Sequence, residues 1–437
     1  MSQFYRVVEH TVDCHHSREY VTATVHGDAD KPRLAVKQYI PLDNPDPQPG
    51  DVTIIGAHAN GFPKELYEPL WDDLYARAAK SGIRIRSIWI ADMWNQGQSG
   101  VLNEAILAND PSWWDHARDL LHLINQKRDE MPHPLVGIGH SMGGAQLTLI
   151  ALSNPRLFRS LVLLDPVLQL TGTGIAPAMA STRRRDLWPS RAAAAAMFRQ
   201  SKFYQAWDAR VFDRWMRHGL RPLPTALYPS PPSTNTTTNP PATSGGGGDD
   251  DQPVTLTTTK HQELFTFLRP TYSRLNDGSS SSPLDRPVDL PAHFDAGGSG
   301  SGGSGSGGYP FYRPEPLYAF SRLPELRPSV LYVFGGESDM STPELRRAKM
   351  AATGTGAGGS GGAARGRVRE VVLEGRGHLV AMEAVAACAD AVAGFLKDEM
   401  QLWRAEMAAF ERSRAAADRR ELMVIDERWK RELKPKI

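Results

Sequence analysis

A short apolar run, Leu135 to Ile138, leads into Gly139-His140-Ser141-Met142-Gly143, and a helix-forming stretch, Ala145 to Leu152, follows. A G-x-S-x-G pattern at a strand-to-helix turn holds a serine on a sharp bend with its Oγ directed out of a sheet. Gly139 and Gly143 permit the close backbone approach that a Cβ would block. The helix starting after the serine turns free N–H groups and its positive dipole end toward a developing oxyanion. The chemistry such a turn serves is acyl transfer through a serine nucleophile. Gly358-Gly359-Ser360-Gly361-Gly362 repeats the pattern inside a Gly/Ala tract. No strand precedes it and no helix start follows, so Ser360 is read as loop filler.

A serine hydroxyl needs a histidine base, and the base needs a carboxylate that fixes its tautomer. His378 is the candidate base: it follows the β-rich run Val368–Leu373 in the loop Glu374-Gly375-Arg376-Gly377-His378-Leu379. His140 lies inside the turn and is directed away from a base position, and His58 closes a strand and is expected to hold a loop. For the acid, Asp339 after the run Val330–Phe334 is the first choice, Asp165 after Ser160–Leu164 the alternative, and Glu337 a third. Asp165 and Asp339 both preserve the chain order Ser…Asp…His. An oxyanion needs two donors. Met142, next after the serine, supplies one backbone N–H; Asn60 in His58-Ala59-Asn60-Gly61-Phe62 is the first choice for the other, with Phe62 the alternative.

The elements that must position these groups alternate in type. Strands are expected at 6–12, 34–40, 52–57, 85–90, 135–138, 160–164, 330–334 and 368–373, several as continuous Val/Ile/Leu runs that read as buried on both faces. Helices are expected at 68–79, 113–125 and 145–152. Strand–helix alternation implies a mainly parallel sheet with helices on both sides. It stops after Asp165-Pro166. Four segments are therefore expected: 1–166 and 327–396 as two parts of one core, 167–326 as a helical cap insertion, and 397–437 as a helical extension. Within the insertion, 230–251 and 276–308 have linker composition, and 354–362 is a smaller Gly-rich tract. Trp188, Phe198, Phe203, Tyr204, Trp207, Phe212 and Trp215 enrich the insertion in aromatics, either as cap packing or as an apolar channel. Leu396, Met400, Trp403, Met407 and Phe410 form one apolar stripe, for packing on the core or for a homodimer contact.

The composition narrows the partners. Of 437 residues, 50 are basic and 49 acidic, so the net charge of +1 gives no general attraction to nucleic acid. The two cysteines rule out a disulfide framework and favour an intracellular setting. The start of the chain lacks a signal-peptide pattern, and no apolar run is long enough to span a bilayer. Arg183-Arg184-Arg185 is read as a solvated run rather than an anion site.

Several motifs in order resemble the α/β-hydrolase superfamily over residues 30–166 and 327–395. They are His58 to Phe62, Asp92 with Gly97-Gln98-Ser99, Gly139 to Gly144, Gly335 with Asp339 and Pro343, and Gly377-His378. Within it the chain is similar to fungal peroxisomal lipase-like and toxin-biosynthesis hydrolases, which share the His-Ala-Asn-Gly-Phe-Pro-Lys-Glu loop style and a helical tail. The resemblance implies an α/β-hydrolase fold and a Ser-His-Asp triad cleaving a carboxylic ester or thioester of an apolar acyl substrate, with no metal or organic cofactor. The alternatives are an acyltransferase or related secondary-metabolism enzyme using the same triad, and a non-catalytic binding protein of this fold. Epoxide and haloalkane hydrolases differ in carrying Asp where Ser141 stands. The chain departs from the pattern in reading His-Ala-Asn-Gly rather than His-Gly. It also ends in Pro435-Lys436-Ile437, where a peroxisomal address for an import receptor resembles Ser-Lys-Leu. The expected location is peroxisomal, otherwise cytoplasmic.

Overall fold

The computed structural model describes residues 2–170, 174–229, 252–270 and 311–433. The tracts 230–251 and 276–308 and the terminal Pro435-Lys436-Ile437 lie outside the described residues.

The expected alternation of apolar runs and amphipathic stretches folds as an α/β-hydrolase sheet. In chain order the strands are β1 (Tyr5–Asp13), β2 (Arg33–Pro41), β3 (Val52–Ala57), β4 (Ile85–Ala91), β5 (Leu135–His140) and β6 (Ser160–Leu164). After short strands β7 (Leu187–Trp188), β8 (Leu220–Pro222), β9 (Val254–Leu256), β10 (Arg269–Pro270) and β11 (Phe311–Tyr312) come β12 (Ser329–Gly335) and β13 (Val368–Leu373). Eight of them form one sheet in the order β1-β2-β4-β3-β5-β6-β12-β13. β1–β2 and β2–β4 pair antiparallel, and the remaining pairs are parallel. Of the six inner strands, β3, β5, β6 and β12 are buried at every residue, and the edge strands β1 and β13 are partly exposed. That is why the inner strands read as unbroken apolar runs.

Alternate residues of each inner strand feed two cores. Ile54, Val136, Val162 and Leu331 face one layer, and Ile55, Leu135, Leu161 and Val330 the other. The helices α1 (Glu68–Lys80), α2 (Gly97–Leu102), α3 (Trp113–Gln126) and α4 (Met142–Ser153) belong to the first part of the chain. α4 is apolar all round and is buried at every residue but its last, as expected for a helix packed beneath other layers. Between β6 and β12 lie α5 (Ile175–Arg183), α6 (Arg191–Gln200), α7 (Lys202–Gln205), α8 (Ala209–His218), α9 (Lys260–Phe267) and α10 (Pro314–Ser321). The insertion's rings pack on one another and on the core: Phe198 lies 4.7 Å from Tyr204, and Phe62 of the core lies 5.6 Å from Trp207, centroid to centroid. Trp188, Phe198, Trp207 and Trp215 are buried in the same apolar cluster as Ile54 and Leu331 of the sheet, as the packing reading expects.

Two expectations about segmentation change. α11 (Pro343–Ala352), α12 (Val380–Glu383) and α13 (Val385–Ala415) complete the helices named here, and α13 runs unbroken through the boundary expected at 396. No Gly or Pro interrupts 395–415, so nothing ends the helix there. Its apolar stripe is covered only in its first half: Leu396 and Met400 are buried, whereas Phe410 is 51% exposed. The Gly-rich tract 354–362 is folded, with Gly354, Gly356 and Ser360 donating backbone hydrogen bonds to Leu323, Pro324 and Leu326. Among the described residues no helix is long and apolar enough to cross a membrane.

Candidate active site

β5 delivers Ser141 to the carboxyl edge of the sheet in a strained conformation, φ 57° and ψ −118°. Among the described residues only Ser141 and Asp165 combine a side chain with positive φ. Strain of this kind costs of order 1–3 kcal/mol per residue and persists where the surroundings over-determine it. The Ser141 N–H donates to Leu164 O at 2.9 Å, tying the turn to β6. The two glycines are required by contact: a Cβ on Gly139 would stand 2.6 Å from Gly143 O, and one on Gly143 would stand 2.3 Å from Ala57 O.

His378 Nε2 lies 2.7 Å from Ser141 Oγ. Its Nδ1 lies 2.6 Å from Asp165 Oδ2. Asp165 is fully buried and also accepts from Ser338 Oγ at 2.5 Å and, through Oδ1, from Gly335 N–H at 3.0 Å. Burial alone would raise this carboxyl; hydrogen bonding from and attraction to His378, with the Ser338 bond, hold it below the ordinary carboxylate range. Ionised Asp165 accepts from Nδ1–H, which leaves Nε2 free to take the Ser141 proton.

The carboxylate beside His378 is therefore Asp165, not the first-choice Asp339. The reason lies in the strand order. β6 lies between β5 and β12, so the residue after β6 stands next to the serine and within reach of the Gly335 N–H at the end of β12. Asp339 begins a 3-10 turn four residues beyond β12 and is exposed, as is Glu337. Its neighbour Ser338 reaches the site instead. Ser360 sits in its folded Gly-rich tract, hydrogen-bonded to Gly362 N–H at 3.3 Å.

The loop after β3 is pinned almost throughout. Ala59 N–H donates to Tyr67 Oη at 2.8 Å, Gly61 N–H to Gln96 Oε1 at 2.8 Å, and Phe62 N–H to Ala59 O at 3.2 Å. His58 donates from Nδ1 to Ala59 O at 2.8 Å and accepts the Met93 N–H at Nε2, so it holds the loop. The Asn60 side chain bonds Glu263 O at 3.0 Å and Gln96 at 2.6 Å. Among the described residues no hydrogen bond engages the N–H of Asn60 or of Met142. Phe62 has already committed its N–H, and its ring packs on Trp207 and Trp215. Asp92 braces the same loop from below, accepting from Lys64 Nζ at 2.7 Å and from Gln98 N–H at 2.8 Å.

Two further groups, Tyr67 and Lys349, have no local signature in the sequence. Tyr67 Oη lies 2.9 Å from His140 Nδ1, and His140 Nε2 lies 3.0 Å from the backbone oxygen of His378. Lys349, fully buried, donates to Pro166 O at 3.1 Å and Met340 O at 2.8 Å, joining the Asp165 and Ser338 loops. Burial pushes its ammonium down to about 8, against the attraction of Asp165. In the Arg183-Arg184-Arg185 run, Arg184 is not free: it pairs with Glu263 at 2.5 Å.

A model of the alpha/beta hydrolase family matches residues 54–391, and the chain belongs to that family. It is a hydrolase enzyme. The chain is 40% identical over 439 residues to the type I acyl-CoA thioesterase mpaH' of Penicillium brevicompactum, covering 99% of this chain and 96% of that one. A type I acyl-CoA thioesterase mpaH of Penicillium roqueforti is 37% identical over 442 residues, covering 99% and 96%. Among solved structures, the peroxisomal alpha-beta-hydrolase of Saccharomyces cerevisiae shares the fold, with a TM-score of 0.62, 16% identity, and 95% and 100% of the two chains covered.

Proposed function

We propose that the protein is a serine hydrolase that cleaves an acyl thioester of the acyl-CoA type through Ser141, His378 and Asp165. The observation that carries the reading is the unbroken sequence of short contacts, Ser141 Oγ to His378 Nε2 at 2.7 Å and His378 Nδ1 to Asp165 at 2.6 Å. The relatives' names supply the substrate class. Ser141 Oγ attacks the acyl carbonyl as His378 Nε2 takes its proton, and Asp165 stabilises the imidazolium. The N–H groups of Met142 and Asn60 receive the oxyanion. Collapse breaks the C–S bond, and His378 returns the proton to the departing thiolate. Water, deprotonated by His378, then attacks the acyl-enzyme and releases the carboxylic acid and Ser141.

Release of free thiol from an acyl-CoA, followed with a thiol-reactive chromophore, tests this. Wild type is expected to release thiol and acid in equal amounts, and Ser141→Ala none above background. Thiol release undiminished in Ser141→Ala would overturn the assignment. We further propose a peroxisomal location, for which Lys436 and the final Ile437 fit a Ser-Lys-Leu-type address while Pro435 departs from it. A fluorescent reporter fused to 430–437 is expected to become punctate, and a diffuse signal would exclude it.

A further inference from the structure

The oxyanion loop and the base loop come from distant parts of the chain, yet one buried string of hydrogen bonds joins them. Its directions follow from a single acceptor. The His378 carbonyl can only accept, so His140 Nε2, 3.0 Å away, must carry hydrogen. A neutral imidazole protonated at Nε2 accepts at Nδ1, so Tyr67 O–H donates to it across 2.9 Å. The Tyr67 oxygen then accepts the Ala59 N–H at 2.8 Å. Burial, with repulsion from His378, pushes the His140 imidazole down to about 3, so this neutral tautomer persists through the working pH range. Burial also pushes the Tyr67 phenol up, which keeps its proton in place. Both side chains are almost wholly excluded from solvent. The adjoining residues are the ones that matter. Ala59 precedes Asn60, whose N–H is uncommitted, and the tethered carbonyl belongs to the base itself.

We propose that His140 and Tyr67 are positioning residues that lock the oxyanion loop and the base loop to each other, so that the Asn60 N–H faces the carbonyl oxygen while His378 Nε2 faces the Ser141 Oγ that attacks its carbon. The proposal rests on the reading of Ser141 and His378 as nucleophile and base. It gives His140, the second residue of the Gly-His-Ser-Met-Gly turn, a function apart from that of Ser141.

Tyr67→Phe and His140→Phe test it. The first keeps the ring beside Trp71 and His140 and removes only the hydroxyl. In each variant kcat is expected to fall on the order of tenfold or more, because a buried donor and a buried acceptor lose their partners. KM is expected to stay within about threefold, since the substrate's ground-state contacts are untouched. Affinity for a boronic acid that forms a tetrahedral adduct on serine should drop in parallel with kcat. The double variant should be no slower than the slower single, because both changes break one string. Melting temperatures separate these effects from unfolding, and Tyr67→Phe carries the test alone where His140→Phe does not fold. Unchanged kcat and boronic acid affinity in Tyr67→Phe would overturn the proposal. So would a loss expressed wholly in KM. Hydrolysis surviving in Ser141→Ala would instead remove the reading beneath it.

Discussion

Replacing Asp165 by Asn distinguishes the two carboxylates most sharply. The change keeps the shape of a fully buried side chain and alters one donor–acceptor relation. Asp165 Oδ1 accepts from Gly335 N–H at 3.0 Å, and Oδ2 accepts from His378 Nδ1 at 2.6 Å and Ser338 Oγ at 2.5 Å. An amide NH2 in the Oδ1 position would point at the Gly335 N–H, donor against donor. In the Oδ2 position it donates to His378 Nδ1, which moves the imidazole hydrogen to Nε2. Nε2 then offers Ser141 a hydrogen where the proposed mechanism has it accept one. In a serine protease, this wrong tautomer costs about ten-thousandfold in kcat, roughly 5 kcal/mol at about 1.4 kcal/mol per tenfold. Asp339→Asn, at an exposed position, is expected to stay within about twofold of wild type. The assay is thiol release from an acyl-CoA, with the rate of fluorophosphonate labelling as a second reading of Ser141 reactivity. Near-normal rates in Asp165→Asn together with collapse in Asp339→Asn would assign the carboxylate partner of His378 to the loop after β12.

Three further outcomes follow from the packing. Gly143→Ala places a Cβ 2.3 Å from Ala57 O and 2.5 Å from Ala57 C, both backbone, so the loop after β3 must move. A fall in melting temperature, corresponding to about 1–3 kcal/mol, with loss of thiol release is expected, and normal activity would contradict it. Lys349→Met removes the cation that joins Pro166 O to Met340 O, and slower labelling of Ser141 at an unchanged fold, read by circular dichroism, is expected. Asp115, fully buried, is raised from 3.8 to about 7, chiefly by burial and against the pull of Arg18. The native state therefore holds this proton through a window in which the unfolded chain has released it, so stability falls as pH rises from about 4 to about 7. Wild type should lose melting temperature relative to Asp115→Asn across that window, and parallel profiles would count against it.

The fold was legible in the sequence because the inner strands need no partner to be recognised: runs such as Val52–Ala57 and Ser160–Leu164 are apolar at both faces. The Gly-rich surroundings of Ser141 and His378 likewise mark both residues locally. The carboxylate beside His378 was not legible in the same way. Asp165 and Asp339 each follow a strand in permitted chain order, and the difference between them is the neighbourhood of β6 between β5 and β12. Strand order is a long-range property that no window of residues states. Tyr67 and Lys349 were invisible for a related reason. A buried polar side chain matters through a partner, and their partners, His140 and Pro166, are distant in sequence. The segment boundary expected at 396 falls inside α13, because a change from buried to exposed surface does not end a helix that carries no breaking residue.

Locating the covalent intermediate tests the proposed serine mechanism most directly. Wild-type protein is mixed with an acyl-CoA, quenched in acid and digested, and the acylated peptide is sequenced by mass spectrometry. The acyl group is expected on Ser141, more abundant when deacylation is slowed and lost in Ser141→Ala. An acyl group carried by Ser360 or another residue, or turnover that leaves no acyl-enzyme under any quench, would contradict it.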